Sequence, residues 1–171
     1  MTMATATPSA GPTTMEVDAF LADSADTAQG KIYALGVGWN NIYATTFPAV
    51  HPRVSVGILI HVPYTATNQM HKISLHLEDA DGERLPLGET PPEQPDGERG
   101  QLFELGGEFN VGRPPLLPPG DEQIVALTMT INQLRLDRPD MLTWVILIDG
   151  TPMKRLRMRV HQLMQQAIQV S

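Results

Sequence analysis

The fold is decided by the stretch GKIYALGVGWNNIYATTFPAVHPRVSVGILIHV, residues Gly30 to Val62. From Arg53 to Val62 the even positions are all aliphatic, whereas the odd positions include arginine, serine, glycine and histidine. Because successive side chains of a strand point to opposite faces, this alternation predicts a β-strand with one buried face. The preceding run, Lys31 to Trp39, is rich in β-branched, aromatic and small residues and predicts a second strand.

The same period of two recurs along most of the chain. It predicts further strands at Met15–Leu21, Lys72–Glu78, Glu83–Leu87, Phe103–Val111, Ile124–Asn132, Met141–Asp149 and Met153–His161. Asp81-Gly82 and Asp149-Gly150 are typical hairpin turns. Eight or nine short strands joined by turns predict an all-β domain over residues 15–161, an antiparallel β-sandwich, with a small barrel as the alternative.

Both ends of the chain differ from this pattern. Residues 1–14 are mainly alanine, threonine, proline and serine and predict a flexible arm. Residues 162–171 predict a short amphipathic helical tail. Its apolar face would consist of Val160, Leu163, Met164, Ala167 and Ile168. An isolated helix of this length is marginal in water, so we expect it to cover the domain's own sheet or a partner.

Two internal segments are typical of connections. The stretch from Gly88 to Gly100, GETPPEQPDGERG, holds three prolines and four carboxylates and predicts an exposed loop that the fold can lose. Residues 112–120, GRPPLLPPG, lack a backbone donor at four positions and predict an extended crossover between sheets.

Three segments and a final strand carry a family resemblance. They are VDAFLADSADTAQGKIYALGVGWN, ILIHVPYTATNQMHKISLHLEDADGERL, GEFNVGRPPLLPPGDEQ and the later WVILIDG, which together span about residues 16 to 150. Their content and order resemble an uncharacterised family of small bacterial proteins, common in actinobacteria, that is catalogued as a domain of unknown function. The resemblance supports the fold and implies no activity or catalytic residue.

Composition limits the partners. The 171 residues include 19 acidic and 12 basic side chains, for a formal net charge of −7. This balance argues against a nucleic-acid or anionic-membrane partner for the whole chain. Cysteine is absent, which excludes disulfides and thiolate metal sites and suggests a cytoplasmic location.

The sequence offers little catalytic chemistry. None of its five serines lies in a G-x-S-x-G elbow, and the Gly36-Val37-Gly38 run lacks the third glycine of a dinucleotide fingerprint. His71 and His76 are five residues apart on one predicted strand and therefore point to opposite faces, which disfavours a shared metal ion. We predict no catalytic, cofactor or metal-binding residue, and no enzyme.

The C-terminal strand offers an interaction surface instead. Arg155, Arg157 and Arg159 alternate with apolar residues and form a row on one strand face. Cross-strand pairing with acids on other strands would explain them, the candidates being Glu16, Asp18, Glu104 and Glu108. The alternative is docking of an acidic partner or a second copy. With the tail residues Leu163, Met164, Ala167 and Ile168, the row predicts a protein-interaction or structural module that forms a homo-oligomer.

A second function also fits the sequence. Trp39, Tyr43, Tyr64 and His61 could line a cleft for a small molecule or carbohydrate. Exposed aromatic rings along one groove would favour this alternative.

Overall fold

The chain folds as an all-β protein in a computed structural model that describes residues 14–89 and 100–164. The first strands are β1 (Glu16–Ala22), β2 (Ser24–Ala28), β3 (Lys31–Leu35), β4 (Asn41–Ala44), β5 (Ala49–Val62), β6 (Met70–Glu78) and β7 (Arg84–Leu85). They are followed by β8 (Gly88–Glu89), β9 (Gln101–Leu102), β10 (Leu105–Asn110), β11 (Gln123–Leu136), β12 (Asp140–Ile148) and β13 (Thr151–Gln162). In the described residues the helical content is one 3-10 turn, Tyr64–Ala66, so no helix there is long and apolar enough to cross a membrane.

Two large sheets enclose one core. One has the order β1-β5-β11, and the other has the order β10-β6-β12-β13-β4 with β7 beside β6. Pairing is antiparallel throughout, except that β4 runs parallel to β13. The sheets curve as a half-barrel flanked by the small β2-β3 and β8-β9 sheets. The all-β prediction is confirmed, but a clear sandwich of two facing sheets is not formed.

The alternation in β5 builds the core as predicted. Val54, Val56, Ile58, Ile60 and Val62 are all completely buried. They pack with inward side chains of β6 and β12, which include Leu75, Leu77, Trp144 and Ile146. β12 lies in the middle of its sheet, between β6 and β13, as its two apolar faces predicted. The Pro-rich segment after β10 crosses from the larger sheet to the smaller one, also as predicted.

The strand predicted from Lys31 to Trp39 is shorter in the structure. β3 ends at Leu35 because Gly36 adopts φ +65°, a conformation that L side chains avoid, and its backbone carbonyl approaches the amide of Asp23. The polar residues that follow β1 form β2, which pairs with β3. The resulting hairpin lies over the outer face of β11, where the Thr27 and Thr128 hydroxyls are 3.1 Å apart. Leu35 and Val37 consequently remain exposed.

The predicted C-terminal helix is wrong where the structure describes it. β13 extends to Gln162, so Val160 belongs to a strand instead of a helical face, and Leu163 and Met164 follow without helical structure. The cause is β4, which supplies a parallel partner for Val160 through Gln162 and whose Ala44 carbonyl accepts a hydrogen bond from the Leu163 amide at 2.8 Å. Ala167 and Ile168 lie outside the described residues, as do residues 1–13 of the predicted arm and residues 90–99 of the predicted loop.

Candidate interaction surface

The arginine row, Arg155, Arg157 and Arg159, lies on the outer face of β13. Met158 and Val160 point into the core from the same strand and are almost completely buried. Because strand side chains alternate, burial of these two residues forces the arginines outward, and all three are exposed. The row predicted from the sequence is therefore present on the surface.

Arg155 is paired within the chain. Its Nη1 lies 3.0 Å from Oε2 of Glu78 on β6, and Oε1 of the same carboxylate lies 2.8 Å from Nε2 of His76. The His76 hydrogen bond, together with the Arg155 guanidinium, holds the pKa of Glu78 below its ordinary value. This part of the row is a cross-strand ion pair, although its acid is none of the four candidates named from the sequence.

Arg157 and Arg159 are different because neither makes an ion pair or side-chain hydrogen bond within the described parts of the chain. The acids expected to meet them are occupied elsewhere or unpaired. Oε2 of Glu104 accepts a hydrogen bond from Nη1 of Arg84 at 3.0 Å, and Oδ1 of Asp18 lies 3.6 Å from Nζ of Lys154. Residues two apart on a strand place their side chains about 6.6 to 6.8 Å from each other on one face. The outer surface of β13 thus presents two free cations at fixed spacing.

An aromatic pair extends this surface toward the end of β13. The rings of Tyr43 and His161 stack with centroids 4.9 Å apart and planes 13° from parallel. Nε2 of His161 lies 2.8 Å from Oδ1 of Asn41. Tyr43 remains 60% exposed, so one face of this pair is available to a partner. Beyond it Leu163 is 47% and Met164 is 93% exposed.

A groove of about 420 Å³ lies at the end of the row farther from this aromatic pair, where β13 contacts β1. Its walls include Phe20 and Leu21 of β1, the indole of Trp39, and residues 155–157 of β13. The groove therefore combines aromatic surface with the Arg157 side chain.

The four residues of the predicted ligand cleft do not assemble around this groove. Trp39 lines it and contacts His51, with ring centroids 5.7 Å apart, whereas Tyr43 stacks on His161. Tyr64 is covered by the guanidinium of Arg113, 3.9 Å from its ring centroid. His61 lies between Asp18 and Glu122, and its hydrogen bond to Glu122 contributes most to raising its pKa. Each ring has separate partners.

The pair that most resembles catalytic machinery is His71 with Asp149. Nδ1 of His71 lies 2.8 Å from Oδ2 of Asp149, and its Nε2 lies 2.9 Å from the carbonyl oxygen of Ala66. Both ring nitrogens face acceptor oxygens, so the protonated ring donates at both positions and both nitrogens are engaged within the chain. The pair links β6 to the β12–β13 turn. The sequence contained the Asp149-Gly150 turn signal but nothing that connected it to His71.

A second cavity, of about 200 Å³, lies beside the β11–β12 turn. Its carboxylates are already bound: Arg138 lies 3.3 Å from Asp79 and 3.2 Å from Asp140. Oδ1 of Asp79 also accepts hydrogen bonds from the backbone amides of Asp81 and Glu83. Within residues 14–89 and 100–164, no group of three His, Cys, Asp or Glu side chains is arranged to hold a metal ion.

Comparison with known proteins adds a family but no activity. No curated protein matches the sequence. Among solved structures, the chain is similar to the Pseudomonas fluorescens alkylpurine DNA glycosylase AlkC bound to DNA containing an abasic site analog, with a TM-score of 0.39 and 8% sequence identity. The match covers 86% of this chain and 30% of that one, and a likeness this low supports no conclusion about fold or function.

The family comparison covers almost the whole described domain, from β1 to the end of β13. It confirms the resemblance to an uncharacterised family that the segment order predicted. Residues 17–161 match the Family of unknown function (DUF6941), and the chain belongs to that family.

Proposed function

We propose that this chain is a non-enzymatic protein-interaction module that self-associates through the outer surface of β13. The observation that carries the proposal is the pair Arg157 and Arg159, which are exposed, adjacent on one strand face and without an acidic partner in the described residues. An ion pair at such a site contributes to partner choice and orientation more than to the stability of the fold.

The surroundings of the pair also fit a protein partner. Tyr and Arg are enriched at protein interfaces, and here an exposed Tyr43 lies at one end of the row. The exposed Leu163 and Met164 add apolar surface beyond it.

The proposal is tested by measuring mass against concentration with sedimentation velocity on the full chain. The wild type should form a discrete oligomer, and the Arg157→Gln, Arg159→Gln double variant should shift toward monomer. Lys31→Gln with Lys72→Gln removes the same charge away from β13 and serves as the matched control. A wild type that stays monomeric at high concentration, or an oligomer equally sensitive to both double variants, would contradict the proposal.

A second candidate function is binding of a small molecule or carbohydrate. It is favoured by the groove beside Trp39, because its volume of about 420 Å³ is in the usual range of ligand sites, roughly 300 to 1,000 Å³. Sugar rings commonly stack on aromatic faces, and the groove offers Phe20 and Trp39. Titration of the tryptophan fluorescence with a panel of monosaccharides and disaccharides tests it, with Trp39→Phe as the control. A signal that is unchanged at all concentrations would exclude this candidate.

A further inference from the structure

The seam between β1 and β13 carries opposite charges at its two ends. The two strands belong to different sheets but contact each other, and Asp18 of β1 lies 3.6 Å from Nζ of Lys154 on β13. Further along both strands, Phe20 and Leu21 of β1 and residues 155–157 of β13 line the groove described above. Following the seam in this direction therefore leads from an acidic end to a basic one.

The acidic end consists of Glu16 and Asp18, here called the β1 acidic pair. Both are exposed, and they are two residues apart on one face of β1, as Arg157 and Arg159 are on β13. Glu16 has no ion pair in the described parts of the chain, and the side chain of Asp18 is 69% exposed despite its contacts with Lys154 and His61. Two carboxylates and two guanidinium groups at the same spacing, about 6.6 to 6.8 Å, can meet in register.

This arrangement is self-complementary under a two-fold axis. If a second copy is placed with its seam antiparallel to the first, the acidic end of each copy faces the basic end of the other. Such an isologous interface satisfies both ends at once, which is the geometry of the commonest closed oligomer. The groove with Phe20 and Trp39 then lies near the axis, between the two sets of charge pairs.

We infer that the partner of the arginine row is a second copy of this chain, joined along the β1–β13 seam so that Arg157 and Arg159 of each copy meet Glu16 and Asp18 of the other. The inference rests on the proposed function and specifies its partner. An unrelated acidic protein would also be attracted to the arginines, but it would have no dependence on Glu16 or Asp18.

Charge reversal with complementation tests this partner. One variant carries Arg157→Glu with Arg159→Glu, and the other carries Glu16→Lys with Asp18→Lys. Each variant alone places like charges at both ends of the two-fold interface, so its dimerisation should be at least about tenfold weaker than that of the wild type. In an equimolar mixture every contact again joins opposite charges, so heterodimers should form with an affinity close to that of the wild type.

The outcomes separate the inference from the proposed function. One outcome is that the arginine reversal abolishes association, the β1 reversal associates like the wild type, and the mixture forms no additional heterodimer. In that case β13 is an interaction surface but its partner is not β1. If both variants associate like the wild type, both proposals are wrong. Because replacing Asp18 also removes its contacts with Lys154 and His61, thermal melts check folding. Glu16→Lys alone, which leaves Asp18 and its contacts intact, must still weaken the homodimer.

Discussion

Nδ1 of His71 lies 2.8 Å from Oδ2 of Asp149, and this contact joins the start of β6 to the turn between β12 and β13. Oδ1 of the same carboxylate accepts the backbone amide of Lys72 at 2.9 Å, so Asp149 binds a ring and the adjacent backbone together. Asp149 adopts φ +50°, as the turn requires, and asparagine tolerates that conformation equally well. The carboxylate can therefore be neutralised by substitution without straining the turn.

We expect Asp149→Asn to make stability less dependent on pH. Burial lowers the pKa of His71, but hydrogen bonds to Asp149 and Ala66 outweigh it, so the pKa is raised above its ordinary value of 6.5. Stabilisation by this ring is therefore complete below pH 6.5 and is lost as the pH rises through the folded-state pKa. The pKa of Asp149 is lowered from 3.8, chiefly by the His71 hydrogen bond, so its contribution is lost only as the pH falls below that value.

The measurement is the melting temperature of wild type and variant between pH 5 and 9. The wild type should lose its advantage over Asp149→Asn as the pH rises above 6.5. At pH 6 the variant should be less stable by about 1 to 3 kcal/mol, the cost of weakening hydrogen bonds to a charged, buried ring. His61→Gln is the control, since His61 also has a raised pKa but is more exposed. A constant difference at every pH would disprove the charge linkage.

Gly57 is required by its neighbour on β1. The ring of Phe20 lies directly over the Gly57 backbone, and an added Cβ would overlap the ring. Gly57→Ala should therefore destabilise the fold by about 1 to 3 kcal/mol, the usual cost of overpacking. In a Phe20→Ala background the same substitution should cost little, and urea unfolding of the four proteins measures this coupling.

The control for Gly57 is Gly107 of β10, because a Cβ added there meets no atom within 4 Å. Gly107→Ala should leave the unfolding free energy unchanged or raise it slightly, since alanine restricts the unfolded chain. Equal losses from both substitutions would mean that backbone freedom, not the Phe20 ring, determines the cost at Gly57.

Replacement of residues 90–99 by a short Gly-Ser linker should change the melting temperature by only a few degrees. The segment has three prolines and little apolar surface, and closure entropy varies slowly with loop length. Leu87, which precedes this segment, is packed into the fold: it is only 4% exposed, and its amide donates a hydrogen bond to the Leu102 carbonyl at 2.6 Å. Leu87→Ala should cost about 2 to 5 kcal/mol. A large loss of stability with the linker would show that the segment packs.

We expect the exchange of Arg113 for lysine to lower the stability of the fold. Its Nε donates to the hydroxyl of Thr67 and its Nη2 to the Tyr64 carbonyl, both at 2.9 Å, while its plane covers the Tyr64 ring. A lysine cannot reproduce this fork, so Arg113→Lys should destabilise the fold by about 1 to 2 kcal/mol in chemical denaturation. Arg135→Lys, at an exposed pair with Asp137, should change it by less than about 0.5 kcal/mol. Similar losses at both sites would contradict this assignment.

Strand content could be predicted because burial acts locally on alternate residues. The aliphatic positions of β5 point inward at every even number from 54 to 62, and the arginine row points outward for the same reason. The local pattern of apolar residues gave the wrong prediction at the C-terminal end of the chain. Apolar positions from Val160 onward fit a helical face, yet β4 offers backbone partners to Val160 and Gln162. A distant strand in the sequence thus overrode the local pattern.

The contacts of the candidate surface were predictable only in part. The exposure of Arg157 follows from alternation, but the pairing of Arg155 with Glu78 depends on β6 and β13 both flanking β12. Likewise, Trp39 and Tyr64 are both aromatic, and nothing in their local sequence shows that one lines a groove while Arg113 covers the other. Strand order brings these groups together or apart, and a period of two carries no information about strand order.

The parallel pairing of β4 with β13 also constrains how the chain is made. Ile42 leaves the ribosome well before its partner Val160, which belongs to β13, the last strand along the described residues. During synthesis the β4 edge is therefore exposed, and pairing across such a sequence separation is slow because a very long loop must close first. Nascent chains stalled before residue 159 should keep β4 open to proteolysis or chaperone binding, and protection should appear only when β13 emerges.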